Sequence, residues 1–403
     1  MHKKRTLKNT LLEYSNSFKV ILITGARQVG KTTFLKNSAQ SNRKYVSLDD
    51  PSELLKAKTD PKGFLITYEP PVFIDEVQYA PEIFKYIKML VDDSDNRGQI
   101  WLTGSQVFNM MQGITESLAG RVAIVNMFGF SIYERFGKGD LQKPFLPAKK
   151  NITSVLKYKS PSETFRIICQ GSFPDVIEKN PKERTAFYDS YVKTYLERDV
   201  RQIINISDEI SFIKFLKAIA ARTGQELNLT DIAKDVDIST NTAKSWISVL
   251  QISGLIFLLQ PYFRNVVKRL IKTPKLYFMD TGLAAYLAGW TTPESLEAGI
   301  SSGAFFETFA ISEIIKSYNH NGLTPNLYYY RDNNKNEIDL LINQDGQFYP
   351  IEIKKTATPK EDDIKAFKAF SKMEKVAFGN LICLADKSKP LNENATAISI
   401  WDI

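Results

Sequence analysis

The sequence predicts an α/β chain of about two to four domains that begins with a parallel sheet. Three observations support this class. An apolar run at residues 20–23 leads into a glycine-rich turn and then a helical pattern. Apolar strands and helical stretches alternate from about residue 18 to residue 135. Near the C-terminal end, two strands of alternating polarity flank Asp345-Gly346, which indicates a β-hairpin.

The turn after the first strand has the spacing of a phosphate-binding loop. Its residues are Gly25, Ala26, Arg27, Gln28, Val29, Gly30, Lys31, Thr32 and Thr33. The glycines let backbone N–H groups converge on a phosphate, and a helix at about residues 32–39 presents its positive end there. Lys31 is expected to contact the β- and γ-phosphates, and the Thr32 hydroxyl to bind Mg²⁺. The alternative is a glycine-rich β–α turn that binds nothing.

A second buried strand, at residues 71–74, ends in Asp75 and Glu76. In a parallel sheet this end faces the crevice in which open α/β sheets bind ligands. We expect Asp75 to hold Mg²⁺ through water and Glu76 to orient or deprotonate the attacking water.

Two further candidates follow the third buried strand, at residues 98–102. Ser105 could sense the γ-phosphate, or it could be an ordinary turn residue. Arg121 could act as an arginine finger in its own subunit or, in a homo-oligomer, in a neighbouring subunit. The alternative for Arg121 is a surface ion pair with Glu116.

Composition narrows the class of protein. A formal net charge of +8 suggests a polyanionic partner, although such a charge also serves solubility. Two cysteines and two histidines argue against a zinc site or a disulfide framework. We expect no membrane partner, because no apolar run reaches the roughly 18 residues of a span. With no cleavable signal recognised, the expected location is the cytoplasm.

The middle of the chain is expected to be helical. Residues 138–163 have the composition of a linker, and helical patterning resumes at about residue 164. Arg198 and Arg201 are candidates for phosphate contact, with a solvated helix face as the alternative.

Residues 227–260 predict a helix-turn-helix. Thr230 is expected to cap a short helix at 231–236, and Ser239 to cap a second helix that runs to Gly254. Strands at 255–260 and 276–278 would complete a winged helix. Between them stand five basic residues and, from 261 to 279, no acidic one: Arg264, Lys268, Arg269, Lys272 and Lys275. This basic wing favours nucleic acid, preferably DNA, although winged helices also bind proteins.

The C-terminal hairpin gives the second site. If Asp345 and Gly346 form a two-residue turn, counting outward pairs Asp339 with Glu352, at a Cα separation of about 4.5 Å. Facing carboxylates repel unless a cation lies between them, and Mg²⁺ or Mn²⁺ suits oxygen ligands. Lys354 falls on the same face, and Glu307 in a helical run at 304–316 could complete an open site. The alternative is an exposed hairpin face with one Glu–Lys pair.

These residues resemble a known family. Asp339 with Glu352-Ile353-Lys354 and an upstream helical glutamate resembles the PD-(D/E)xK nuclease fold. The ordered motifs resemble the prokaryotic AAA-type ATPases that carry a C-terminal domain of unknown function. They are residues 25–33, 73–76, 103–105, 117–121, 171–174, 195–201, 278–283, 337–341 and 351–354. The resemblance implies a P-loop NTPase domain of the AAA+ type at 1–137, then a linker and helical region at 138–225. A winged helix at 226–290 and a restriction-endonuclease-like α/β domain at 291–403 would follow.

Three hypotheses of function result. The leading one is an ATPase that uses Lys31, Thr32, Asp75 and Glu76 with Mg²⁺, and whose nucleotide state controls nucleic-acid engagement. Metal-dependent cleavage of nucleic acid by Glu307, Asp339, Glu352 and Lys354 would be a second activity. An active nuclease is favoured over an inactive fold because Asp339, Glu352 and Lys354 of the family motif are retained. The alternatives are a nucleotide-switched DNA-binding or regulatory module with an inactive nuclease fold, and a protein adaptor.

Overall fold

The computed structural model describes residues 3–105, 114, 117–149, 155–195, 209–264 and 273–403. Five parallel strands form its first sheet: β1 Val20–Thr24, β2 Lys44–Ser47, β3 Val72–Asp75, β4 Ile100–Thr103 and β5 Val122–Asn126. Their order is β2-β3-β4-β1-β5, so β4 lies between β1 and β3. Strands β1, β3 and β4 are buried along their whole length, as strands covered on both faces must be.

Among its described residues, the first unit has the helices α1 Leu7–Ser17, α2 Lys31–Ser38, α3 Pro51–Thr59, α4 Pro61–Thr67, α5 Ile83–Asp92 and α6 Ile132–Arg135. Local sequence explains several of their ends. Asp50 caps α3 by accepting from the Ser52 N–H, and Pro51 occupies the first helical position. Ser131 and Glu134 form a capping box at α6.

The middle region contains α7 Pro161–Gln170, α8 Pro181–Tyr195, α9 Glu209–Ala220, α10 Leu229–Asp235 and α11 Thr240–Ile252. The predicted cap of α10 was wrong. Asn228, rather than Thr230, accepts from the N–H groups of Thr230 and Asp231, so the helix begins two residues earlier. Ser239 caps α11 as predicted. On α11 the apolar stripe is buried, whereas Asn241, Lys244, Ser245 and Ser248 are exposed.

The remaining strands are β6 Gln225–Glu226, β7 Ile256–Pro261, β8 Lys275–Phe278, β9 Leu327–Arg331, β10 Glu337–Gln344, β11 Gln347–Ile353, β12 Gly379–Cys383, β13 Lys389–Asn392 and β14 Ala395–Ser399. They form one sheet in the order β13-β14-β12-β11-β10-β9-β7-β8-β6. The helices of this part are α12 Thr281–Leu287, α13 Pro293–Ala298, α14 Ser302–Asn319 and α15 Lys365–Ser371.

The sheet joins two parts of the chain that the sequence predicted as separate. Strand β7 pairs in parallel with β9, with Gln260 opposite Tyr328. Strand β8 follows β7 in an antiparallel hairpin, so β8 and its side chains are held against the C-terminal half. The long helix α14 packs against β8, and its buried side chains belong to the same hydrophobic core as β1 and β5. The position of α14 therefore links the first sheet to the second.

Candidate functional site

The loop between β1 and α2 has the backbone of a phosphate cradle. Gly25 has φ +137°, and a Cβ on it would lie 2.1 Å from the Met127 carbonyl oxygen. Gly30 precedes α2 with φ +92°, and Gln28 also lies in the left-handed region. Position 25 requires glycine because of the close approach to Met127, and position 30 favours glycine because of its positive φ. The loop thus curls back above the N-terminal end of α2, where N–H groups point outward.

Lys31 lies at the mouth of this loop. Its ammonium group donates to the carbonyl oxygens of Gly25 and Ala26, each at 2.9 Å, and the residue is only 5% exposed. These contacts keep a positive charge within the concave side of the loop. An anionic group placed there would meet both the ammonium group and the backbone N–H groups.

Asp75 ends β3 and lies beside Thr32 of α2. The Thr32 hydroxyl donates to Asp75 Oδ1 at 3.0 Å. Thr103, at the end of β4, donates to the same oxygen, and the Tyr45 hydroxyl donates to Oδ2 at 3.2 Å. Hydroxyl and carboxylate oxygens are the ligands that Mg²⁺ prefers, so the donor set of Thr32 and Asp75 fits this ion. Thr103 and Tyr45 orient the carboxylate from behind.

Glu76 follows Asp75 in a left-handed conformation, with φ +57°. Its backbone N–H donates to Thr103 Oγ1 at 3.2 Å. Its carboxylate accepts from Gln78 Nε2 and, at 3.4 Å, from Ser105 Oγ. Ser105 is buried and contacts the carboxylate of Glu76, so it is more than the ordinary turn residue of the alternative interpretation. Whether it senses a phosphate stays a prediction.

A cavity of about 290 Å³ adjoins the loop on the side of α2. Gln28, Gly30, Thr33 and Phe34 form its loop side. The opposite wall is lined by Lys3, Arg5, Phe130, Pro174 and Asp175. Its mixture of ring, amide, carboxylate and cationic groups can accept a planar, polar molecule next to the phosphate cradle.

Arg5 supports the loop from beneath. Its guanidinium group donates to the Val29 carbonyl oxygen and, at 2.9 Å, to Glu134, and it lies 4.1 Å from the Phe130 ring centroid. His320, the residue that follows α14, places Nδ1 3.4 Å from Glu134 Oε1. Burial lowers the pKa of His320 to about 4, although Glu134 opposes this. His320 is therefore uncharged at neutral pH, and Arg5 supplies the charge that balances Glu134.

Arg121 lies near the amino-terminal end of β1, whereas the phosphate loop follows its carboxyl-terminal end. Its carbonyl oxygen accepts from the N–H of Val20, the first residue of β1, whereas the phosphate loop follows the last. Four residues of strand correspond to about 13 Å. The guanidinium group pairs with Asp92, at 3.0 Å from Nη2 to Oδ2. Glu116, the partner of the alternative prediction, lies outside the described residues. A finger role within its own subunit is therefore contradicted.

The predicted register of the C-terminal hairpin is confirmed. Asp345 and Gly346 have φ values of +52° and +74°, as a two-residue turn of this type requires. Leu340 pairs with Ile351, the position adjacent to Asp339 and Glu352. The Asp339 carboxylate also accepts from the Ile353 N–H at 2.8 Å.

A lysine, Lys275 of β8, lies among the predicted metal ligands. Its Nζ is 2.6 Å from Glu337 Oε1, 3.4 Å from Glu307 Oε1 and 3.8 Å from Asp339 Oδ1. Lys275 is 5% exposed, so its prediction as a surface residue of the basic wing was wrong. Burial alone would lower the pKa of Lys275, but the surrounding carboxylates, Glu307 first, raise it above its usual value. We name these residues, with Glu352 and Lys354, the carboxylate cluster.

The cluster is also less accessible than predicted. The side chains of Glu307, Asp339 and Glu352 are 15%, 13% and 11% exposed, which corrects the expectation of an open site. Burial, reinforced by Asp339, raises the pKa of Glu307 to about 7 and that of Glu352 to about 9. Burial likewise raises the pKa of Asp339. Lys354 lies 3.5 Å from Glu352 Oε1, as its position on the same face predicted, and also pairs with Asp363.

The carboxylate cluster does not fit a divalent cation as it stands. Among the described residues, no group of three or more His, Cys, Asp or Glu side chains is arranged to hold a metal ion. Lys275 already pairs with the oxygens of Glu307 and Asp339 that would bind one. Its charge was visible in the sequence, but only the pairing of β8 brings it to the hairpin.

Of the other residues of the basic wing, the structure describes only Arg264. Lys268, Arg269 and Lys272 lie outside the described residues, as do Arg198 and Arg201. Arg264 is exposed, but its Nε lies 2.6 Å from Glu374 Oε1.

Sequence reasoning missed several residues of both sites. They are Thr103, Tyr45, Gln78 and Arg5 at the phosphate loop, and Glu337 and Tyr277 at the cluster. Thr103 lies in the 103–105 motif, but only Ser105 was predicted as a site residue. Glu337 likewise lies in the 337–341 motif, whereas Tyr45, Gln78, Arg5 and Tyr277 carry no local motif.

Comparisons with known proteins agree with the interpretation of the first unit as a P-loop domain. Residues 17–136 match the model of an AAA domain. Residues 162–294 and 302–403 match two domains of unknown function, DUF8612 and DUF4143. The chain is 28% identical over 343 residues to the uncharacterized proteins Rv2008c of Mycobacterium tuberculosis and Mb2031c of Mycobacterium bovis. The match covers 84% of this chain and 71% of each relative. The first unit is thus an AAA-type P-loop domain.

Solved structures overlap this chain only partly. The RuvB Holliday junction branch migration motor of Thermotoga maritima is 15% identical, covering 66% of this chain and 93% of its own, with a TM-score of 0.32. AMPPCP-bound DnaA from Aquifex aeolicus is 16% identical, covering 61% and 85%, with a TM-score of 0.29. Among the described residues, no helix is both long and apolar enough to cross a membrane.

Proposed function

We propose that the chain is a Mg²⁺-dependent ATPase whose nucleotide state controls the engagement of nucleic acid by its C-terminal half. The nuclease-like part of that half is inactive in this proposal. The observation that carries the ATPase assignment is the 3.0 Å contact between Thr32 of the phosphate loop and Asp75 at the end of β3. These oxygens suit Mg²⁺, which would neutralise charge on the phosphates when bound.

The roles of the chain's own residues follow from chemistry. Lys31 would bind the β- and γ-phosphates within the loop, and the cavity beside Thr33 and Phe34 would hold the base of ATP. Glu76 would orient and deprotonate the attacking water, with Gln78 and Ser105 positioning its carboxylate. Arg121 could serve only the site of a neighbouring subunit, so an oligomer remains part of the proposal.

A contact between the phosphate loop and α11 supports control by nucleotide. Gly254 follows α11, and a Cβ on it would lie 4.0 Å from the Ala26 backbone nitrogen and 3.8 Å from Phe128. Gly254 therefore lies next to the phosphate loop, and a change in the loop on nucleotide binding would reach the residue that closely follows α11. The exposed polar face of this helix would be the element of a winged helix that enters a DNA major groove. The basic residues at 268, 269 and 272 would add phosphate contacts.

Cleavage of nucleic acid by the C-terminal half is not part of this proposal. The buried Lys275 competes with any cation for Glu307 and Asp339, which favours an inactive fold over the earlier expectation of a nuclease.

The experiment measures DNA binding in defined nucleotide states. Fluorescence anisotropy of a labelled duplex would compare the Glu76→Gln protein without nucleotide, with ADP and with ATP, each with Mg²⁺. We expect affinity in the ATP state to differ at least about fivefold from that without nucleotide. The matched control, Lys31→Ala, should show no response to ATP.

Two results would contradict the proposal. Equal DNA affinity in every nucleotide state would remove the coupling. Absence of binding to duplex and single-stranded DNA and RNA alike would favour the protein-adaptor hypothesis.

A further inference from the structure

Lys275 contacts three carboxylates from two different elements. Glu307 comes from α14, whereas Glu337 and Asp339 begin β10, and all three lie within 3.8 Å of the ammonium nitrogen. Tyr277, two residues further along β8, donates to Glu307 at 2.6 Å from the same face of the strand. The lysine thus takes the central position of the cluster.

The backbone fixes Lys275 in this position. Strand β8 is paired on both sides, with Lys275 opposite Leu259 of β7 and opposite Glu226 of β6. A strand paired on both edges cannot rotate its side chains to the other face without breaking both ladders. Lys354 differs, because its side chain is 39% exposed and lies at the edge of the cluster.

A divalent ion would need the oxygens that Lys275 already contacts. Two cations within about 4 Å of each other repel strongly where water is largely excluded. The ammonium group and a metal ion therefore compete for Glu307 and Asp339.

We propose that Lys275 is a built-in counter-cation that replaces a divalent metal, so the carboxylate cluster binds a metal ion only when this lysine is removed. The cluster then joins β8, β10 and α14 through charge pairing. One oxygen of the cluster is left for a cation, because Glu352 Oε2 is buried without a hydrogen-bond partner. This inference is independent of the ATPase assignment, since none of these residues touches the phosphate loop.

The test measures Mn²⁺ binding to the full chain without nucleotide. The electron paramagnetic resonance signal of free Mn²⁺ is the readout. The wild type should show no saturable site that depends on Asp339. Lys275→Met, which keeps a similar length without the charge, should gain one site with at least about tenfold tighter Mn²⁺ binding than the wild type. Adding Asp339→Asn should abolish the gain. A cooperative thermal unfolding transition like that of the wild type would show that the Lys275→Met protein is folded.

Two further variants sharpen the result. Lys275→Arg keeps the charge and should gain no site. Lys354→Met, the matched lysine at the edge of the cluster, should also gain none.

Two outcomes would overturn the inference. One is wild-type Mn²⁺ binding that Asp339→Asn removes, a measurement that does not depend on whether Lys275→Met folds. The other is a folded Lys275→Met protein that gains no Mn²⁺ site.

Discussion

The Thr32 hydroxyl lies 3.0 Å from Oδ1 of Asp75, although β4 separates the strands that lead to these two residues. The contact is possible because α2 begins above the carboxyl ends of the strands, where β3 also ends. Thr103, at the end of the intervening β4, donates to the same carboxylate. The site thus depends on three elements: the phosphate loop after β1, the end of β3 and the end of β4.

Replacing Lys31 and Glu76 should separate nucleotide binding from hydrolysis. Lys31→Ala should weaken ATP binding by about 100-fold, because it removes the main counter-charge of the loop. Glu76→Gln should bind ATP normally but lower kcat by about 10²- to 10⁴-fold, since an amide cannot accept the proton. Isothermal titration and phosphate release measure the two effects. Lys62→Ala, an exposed lysine of α4, is the control. Normal turnover by Glu76→Gln would exclude its assigned role.

Thr103→Val should raise the Mg²⁺ concentration needed for half-maximal ATP hydrolysis by about tenfold. The substitution keeps the shape but removes the hydroxyl that orients Asp75 and accepts from the Glu76 N–H. A Mg²⁺ titration of the steady-state rate measures this. Thr67→Val, at an exposed helix-end threonine, should leave the Mg²⁺ dependence unchanged. An unchanged Mg²⁺ requirement in Thr103→Val would argue against this positioning role.

Replacing Lys268, Arg269 and Lys272 with Ala should weaken nucleic-acid binding for all sequences alike. Each lost phosphate contact should reduce the salt-dependence slope by about 1. Anisotropy titrations at several salt concentrations supply the slope. Lys365, Lys368 and Lys372 of the α15 region, changed together, are a charge-matched control. If affinity and slope stay constant in the first variant, nucleic acid does not contact this segment.

His320 should make the protein less stable as the solution is acidified below about pH 6.5. Its pKa is near 6.5 in an unfolded chain and about 4 in the folded one, so the unfolded state binds the proton first. Between about pH 7 and pH 5 this linkage removes about 2 kcal/mol of stability. His320→Gln should therefore lose less in unfolding temperature over that interval than the wild type does. Equal losses in both proteins would show that His320 is not the group responsible.

The sequence determined the local features of this protein. The spacing of Gly25, Gly30 and Lys31 after an apolar strand predicted the phosphate loop, because the geometry of such a turn depends on adjacent residues. The Asp345-Gly346 turn fixed the register of its hairpin in the same way, since strand pairing is counted from the turn. The stripe on α11 predicted its buried face.

The tertiary structure alone decided what lies between distant segments. Strand order inserted β4 beside β3 and so gave Thr103 its place against Asp75. The pairing of β7 with β9 carried β8 to the hairpin, which turned Lys275 from a member of a basic segment into the buried cation of the carboxylate cluster. Such contacts depend on long-range pairing, for which one sequence contains no local signal, because the energies that select it are shared across the whole core.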